Sequence, residues 1–163
     1  MWYTSLNQDT VGVLSTKSQG IPVFSFQDQK KDQQYLTALP DELTRLQSRT
    51  RRYSDQHLLF LSSTNNAQSK QTRRFSDELT GAMIWTIDSE SISVMKKSEN
   101  YTFHGRDFRV YPKAFSVDGL IPVYESIDKD TSARIYSTDQ SSLSHSRHLT
   151  DPTIVWYVED LTV

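Results

Sequence analysis

An all-β domain of β-trefoil-like architecture is the fold this sequence predicts. Three observations point there: a composition biased towards strands and turns, one order of apolar runs written three times, and turn formers between those runs. Ser and Thr make up about a quarter of the 163 residues, and only five residues are Gly, a balance that favours strands and turns over helices. At 36% hydrophobic and 11% aromatic, the chain is apolar enough to build a core. Its length fits one domain, 1–163, stable without metals or disulfides.

The elements follow in chain order. Residues 1–20 read as a leading strand and linker, because Met1-Trp2-Tyr3-Thr4 resembles the closing Trp156-Tyr157-Val158; the chain is then a piece of something longer. The first repeat, 21–62, opens on Ile21-Pro22-Val23-Phe24 and continues with Gln34-Tyr35-Leu36-Thr37. It then carries Leu43 and Leu46 on one face of a short helical turn over 40–47, and closes on Leu58-Leu59-Phe60-Leu61. A polar connector is expected over 63–78. The second repeat, 79–118, is the weakest: Ala82-Met83-Ile84-Trp85, then Ser91-Ile92-Ser93-Val94, then the run from Phe103 to Tyr111. The third, 119–163, restates the first with Ile121-Pro122-Val123-Tyr124, Arg134-Ile135-Tyr136-Ser137-Thr138, a helical turn over 139–146 with Leu143, and Ile154-Val155-Trp156-Tyr157.

Turn formers such as 28–32 and 128–132 punctuate the runs as hairpin loops do. A unit of about forty residues cannot cover its own apolar face, so three must share a core. Three four-stranded units around a pseudo-threefold axis make a trefoil, with Tyr35, Ile92 and Tyr136 in matching places.

Composition also excludes functions. A net charge of -2 supplies no global field for nucleic acid or an anionic membrane. No apolar run approaches the length of a membrane span, and residues 1–20 lack the apolar block of a signal peptide. Without Cys there are no disulfides, thiolate zinc sites or Cys nucleophiles.

The motif order resembles a family of bacterial secreted and surface repeat domains of unknown function. Its copies run P-V-Y-R-F-Y, H-F-Y-T, then E-G-I-x-W/F-Y. Pro22-Val23-Phe24-Ser25-Phe26 and Pro122-Val123-Tyr124 match the opening; Gln34-Tyr35-Leu36-Thr37 and Ile135-Tyr136-Ser137-Thr138 stand where H-F-Y-T would; Phe60-Leu61, Phe108 and Trp156-Tyr157 stand at the closing aromatic. The motif His is absent from all three copies, and the Glu-Gly pair survives only as His104-Gly105. The resemblance implies a trefoil-like fold and an extracellular or cell-surface binding role within a larger protein.

The expected function is therefore a non-enzymatic module that binds cell-surface glycans, with a protein-interaction module such as a fibre tip or inhibitor domain as the rival and a hydrolase third. A fibre parent would make a homo-oligomer. Sugar recognition needs flat aromatic faces beside hydrogen-bonding side chains. Trp85, Tyr111, Tyr124, Tyr136 and Trp156 are the candidate platforms, with His104, Arg106 and Asp128 beside them. Each aromatic also suits the core, since these residues alternate within strands.

No cofactor or metal is expected. The Asp128–Ser132 loop has oxygen ligands at calcium-loop spacing, but Ala133 replaces the needed Gly. His145 and His148 lie three apart with Asp151 nearby, without a second zinc cluster. No G-x-S-x-G or H-E-x-x-H motif marks a hydrolase. Arg45, Arg49, Arg51, Arg52, Arg73 and Arg74 form a basic group suited to anionic oxygen.

Overall fold

The computed structural model describes residues 20–113, 119–144 and 146–160; the expected leading strand at Met1–Thr4 and the histidine His145 lie outside them. Among the described residues, nine strands form three antiparallel sheets. The first sheet holds β1 (Pro22–Asp28), β2 (Gln33–Thr37) and β3 (Tyr53–Leu61); the second holds β4 (Lys70–Asp77), β5 (Met83–Thr86) and β6 (Tyr101–Val110); the third holds β7 (Leu120–Ile127), β8 (Arg134–Ser137) and β9 (Thr153–Glu159). In each sheet the opening strand lies in the middle, flanked by the second and third. A helix sits between the second and third strands every time: α1 (Pro40–Gln47), α2 (Ser89–Lys97) and α3 (Gln140–Ser144). The expected four-stranded unit is thus three strands and a helix.

Local chemistry accounts for the recurrence. The hairpin from first to second strand turns on an Asp whose carboxylate accepts two backbone N–H groups ahead of it. Asp28 takes those of Lys30 and Lys31, Asp77 those of Leu79 and Thr80, and Asp128 those of Asp130 and Thr131, all between 2.8 and 3.3 Å. Four residues after each Asp the backbone enters the left-handed region, at Asp32, Gly81 and Ser132, where a short polar side chain or none is tolerated. Pro40 starts α1, and Asp88 caps α2 by accepting from the Ser91 N–H at 3.0 Å.

The second sheet corrects the sequence reading. β4 occupies Lys70–Asp77, inside the stretch expected to be a connector, and Met83–Thr86 is the second strand rather than the first. Ser91–Val94 is helical, within α2. Register identifies the true counterparts: Leu36 pairs with Ser25, Trp85 with Arg74 and Tyr136 with Glu125. Ile92 instead packs with Phe75, Ile84 and Met95 in a small satellite core. β4 escaped notice because its inward residues are Thr72, Arg74 and Phe75, so two of three carry polar groups.

All three sheets contribute to one core. Its centre is a triangle of closing-strand aromatics, Phe60, Phe108 and Trp156, with ring centroids 5.4, 6.3 and 5.9 Å apart and edge-on geometry throughout. Edge-on pairs of this kind add about 0.5–1.5 kcal/mol each beyond burial. Polar side chains stitch the sheets together. Gln33 bonds the Gly81 carbonyl and the Met83 N–H, Gln34 bonds both main-chain groups of Tyr136, and the Tyr136 hydroxyl bonds both main-chain groups of Trp85 at 3.1 Å. Each bond satisfies a backbone group that burial would otherwise strand.

Burial raises the Tyr136 hydroxyl well above its ordinary value. Tyr35 is pushed up to about 12, chiefly by burial, with the Arg74 charge opposing and Glu42 reinforcing. A value raised on folding contributes stability below the unfolded value near 10, and that contribution is lost as pH climbs towards 12. These two phenols are therefore expected to ionise only as the chain unfolds. An alkaline titration checks this: phenolate absorbance that is complete before far-UV circular dichroism changes would contradict it.

Candidate functional site

Three of the candidate binding residues belong to the interior. Trp85 and Tyr136 are each 1% exposed and Trp156 is 0% exposed, so none offers a face to a ligand. Trp85 packs edge-on against Tyr35 and Tyr136, and Tyr136 stacks on Trp156 at 5.4 Å. They occupy the core because they sit on the inward side of β5, β8 and β9, which the strand pattern alone does not identify.

The remaining five are dispersed. Asp128 caps its hairpin turn, as above, and lines a cavity of about 310 Å3 between the first and third sheets with Asp32, Asp55 and His57. Tyr124 is half-buried and pairs with Ile154 across β7 and β9. Tyr111 forms a two-way backbone bridge with Tyr157 and accepts a 3.3 Å hydrogen bond from Asn66. His104 is exposed, joined to Ser76 Oγ by a 2.8 Å hydrogen bond from or to Nε2. Screening of its ring by neighbours and then the Arg74 charge hold it below the ordinary imidazole value.

The basic group likewise breaks up. Arg52 forks onto Asp28 at 3.0 and 3.1 Å, and Arg45 pairs with Glu42. Arg74 is buried between the first two sheets, where it holds Asp107 at 2.6 Å and both carboxylate oxygens of Glu42 at 2.8 and 2.9 Å. Trp85 Nε1 donates to Asp107, and the Tyr35 hydroxyl donates to Glu42. Burial alone would raise Glu42, but hydrogen bonds from Arg74, Thr37 and Tyr35 together with the Arg74 charge leave it below its usual value.

Above this network lies the groove that brings functional groups together. It encloses about 520 Å3 at the seam of the first and second sheets, within the size range of small-ligand sites. Ile21, 56% exposed, and Leu39, 50% exposed, form its apolar rim. Ser63, Asn65 and Gln71 offer hydroxyl and amide groups, and Arg106 and Arg109 bring guanidinium charge. Arg109 is held by Ser69, through Oγ at 2.8 Å and the carbonyl at 3.1 Å.

Arg106 is thus the one predicted site residue that lines this groove. The others were missed because the groove joins residues up to 88 positions apart, from Ile21 to Arg109; its residues are individually ordinary, and no local pattern connects them.

Among the described residues no cluster of three His, Asp or Glu is arranged to hold a metal ion, and no helix is long and apolar enough to cross a membrane. No curated protein and no solved structure matches the chain. A family match does exist, and it spans all three described sheets: residues 22–159 match the domain of unknown function DUF5648, and the chain belongs to that family.

Proposed function

We propose that this chain is a non-enzymatic glycan-binding module of an extracellular or cell-surface protein, and that its ligand lies in the groove between the first and second sheets. The observation that carries the reading is the lining of that groove, an apolar rim of Ile21 and Leu39 facing hydroxyl, amide and guanidinium groups. A sugar ring presents that same pairing, C–H faces beside a girdle of hydroxyls.

A trefoil-like arrangement of three units belongs to the same proposal. It is supported by the repeated strand order, the three Asp-capped hairpins and the aromatic triangle at the centre. Equivalent binding sites on all three units, by contrast, find no support. The other two seams are lined differently, one by Asp32, Asp55, His57 and Asp128, the other by Val94, Met95, Tyr101 and Arg134. One site per chain is the reading adopted.

The surface Ser76–His104 pair does not favour a hydrolase. Glu78 accepts from Ser76 itself at 3.1 Å, whereas a nucleophile–base relay needs the carboxylate on the far side of the imidazole. A protein partner gains some support from Leu79, 80% exposed, and Val94, 62% exposed, since exposed apolar residues mark such surfaces when contiguous.

A glycan array probed with the wild-type chain and with Ile21→Ala/Leu39→Ala separates the readings. Wild-type binding to a restricted set of glycans, weakened about tenfold in the double variant by the loss of two apolar contacts, is the expected result. Silence of the wild type across the array at high protein concentration would replace the glycan reading by the protein-partner one.

A further inference from the structure

Register places three residue pairs at matching points of the three sheets, and one pair breaks the pattern. Phe24 of β1 faces Leu58 of β3, and Tyr124 of β7 faces Ile154 of β9. The pairs correspond because Phe24 and Tyr124 also face Thr37 and Ser137 on the second strands, as Arg73 faces Thr86. In the second sheet the matching pair is Arg73 and Arg106. Two arginines are register partners where the other sheets pair apolar side chains. Like charges so placed across antiparallel strands are destabilising.

Among the described residues no carboxylate is paired with either arginine. Asp107, next in the chain to Arg106, turns inward onto Arg74 and Trp85, and Glu42 is engaged by Arg74 and Tyr35. The Arg73 guanidinium donates to the Gln71 carbonyl, at 2.8 Å. Arg106 is exposed, lines the groove, and has no hydrogen-bond or ion-pair partner among the described residues. Burial and then the facing Arg106 lower Arg73 from its ordinary value, as expected of a cation beside an uncompensated cation.

An anion held at Arg106, the member of the pair that lines the groove, would offset the repulsion. The groove that receives it also presents the apolar rim and the amide and hydroxyl groups that suit a sugar ring. We propose that the groove selects an acidic sugar, whose carboxylate or sulfate is gripped by the Arg106 guanidinium under the added field of Arg73. This rests on the glycan reading above and narrows it to a class of ligand. A guanidinium fork matches carboxylate and sulfate oxygens in two parallel hydrogen bonds, which gives both affinity and orientation. The confined groove and the overall charge of -2 favour a short acidic saccharide over a nucleic acid, which needs an extended basic track.

The test uses matched probes in isothermal titration calorimetry. A uronic-acid tetrasaccharide is compared with its carboxyl-reduced, neutral form, and a sulfated tetrasaccharide with its desulfated form. The wild-type chain is expected to bind at least one acidic member about tenfold more tightly than its neutral partner, the scale of one lost charge-assisted fork. Arg106→Leu, which installs the residue type that β3 carries at the matching point, should abolish that preference while leaving the melting temperature equal or higher. Arg49→Gln, an exposed arginine away from the groove, should change neither.

Equal binding of acidic and neutral members by the wild type would overturn the acidic-sugar inference while leaving the glycan reading intact. Binding of neither would overturn both. Persistence of the acidic preference in Arg106→Leu together with a lower melting temperature would assign the arginine pair a structural role instead. Equal capture of a single-stranded oligonucleotide would show a charge-only surface and also overturn the proposal.

Discussion

Arg74→Met is expected to cost about 3–5 kcal/mol of folding stability, the scale reported for leaving one partner of a buried ion pair behind. Methionine matches the arginine side chain as far as Nε and removes the rest of the guanidinium with its charge and donors. Glu42 and Asp107 would then be buried with no cation between them, at 10% and 3% side-chain exposure. For a domain whose total stability is of the order of 5–15 kcal/mol, this is a large fraction.

The pH dependence gives a second signature. In the wild type the folded value of Glu42 is depressed, so its contribution is present above the unfolded value near 4.3 and is lost as pH falls through the folded value. In Arg74→Met the sign reverses: burial, no longer opposed by the Arg74 hydrogen bonds and charge, raises Glu42, and the variant should gain stability as pH drops from neutral towards about 5. Urea midpoints across that range measure both effects. The triple variant Arg74→Met/Glu42→Gln/Asp107→Leu should recover at least half of the loss, because the bulge position of Asp107 is filled by apolar Leu59 and Val155 in the other sheets. A single variant as stable as the wild type would show that the network is solvated after all.

Trp156→Ala is the second large effect, at about 3–5 kcal/mol for a fully buried aromatic truncated to a methyl group. Trp156 touches Phe60 and Phe108 edge-on and stacks on Tyr136, so one truncation opens the place where all three sheets meet. Loss of near-UV circular dichroism together with a lowered denaturation midpoint is the expected readout. Trp156→Phe keeps the triangle and should lose much less, about 1–2 kcal/mol. Leu79→Ala, at an 80% exposed position, should stay within about 0.5 kcal/mol of the wild type. If all three variants lost equally, the closing aromatics would not be the centre of the core.

The first and third sheets were legible because their inward positions are apolar and alternate. Val23 and Phe60 pair in one and Val123 and Trp156 in the other, all 0–1% exposed. The helix over 40–47 announced itself by Leu43 and Leu46 on one face, and that within 139–146 by its place in the repeat and Leu143. The second sheet was opaque because polar and charged side chains fill its matching points: Thr72 where the others have Val23 and Val123, Arg74 where they have Ser25 and Glu125, and Asp107 where they have Leu59 and Val155. Hydrophobic periodicity cannot register a strand whose inward side chains are neutralised by partners more than thirty positions away.

The sequence by itself determined the β-rich class, the order of strands in the first and third units, the turns at 28–32 and 128–132 and the positions of two helices, because hydrogen bonds and spacings within a few residues decide all of these. Only the tertiary structure decided which aromatics are walls and which are surface, that Arg74 is buried while Arg106 faces the groove, and where that groove lies. Those outcomes depend on which face of each strand meets the other two sheets, and a strand shows its two faces equally until a partner covers one of them.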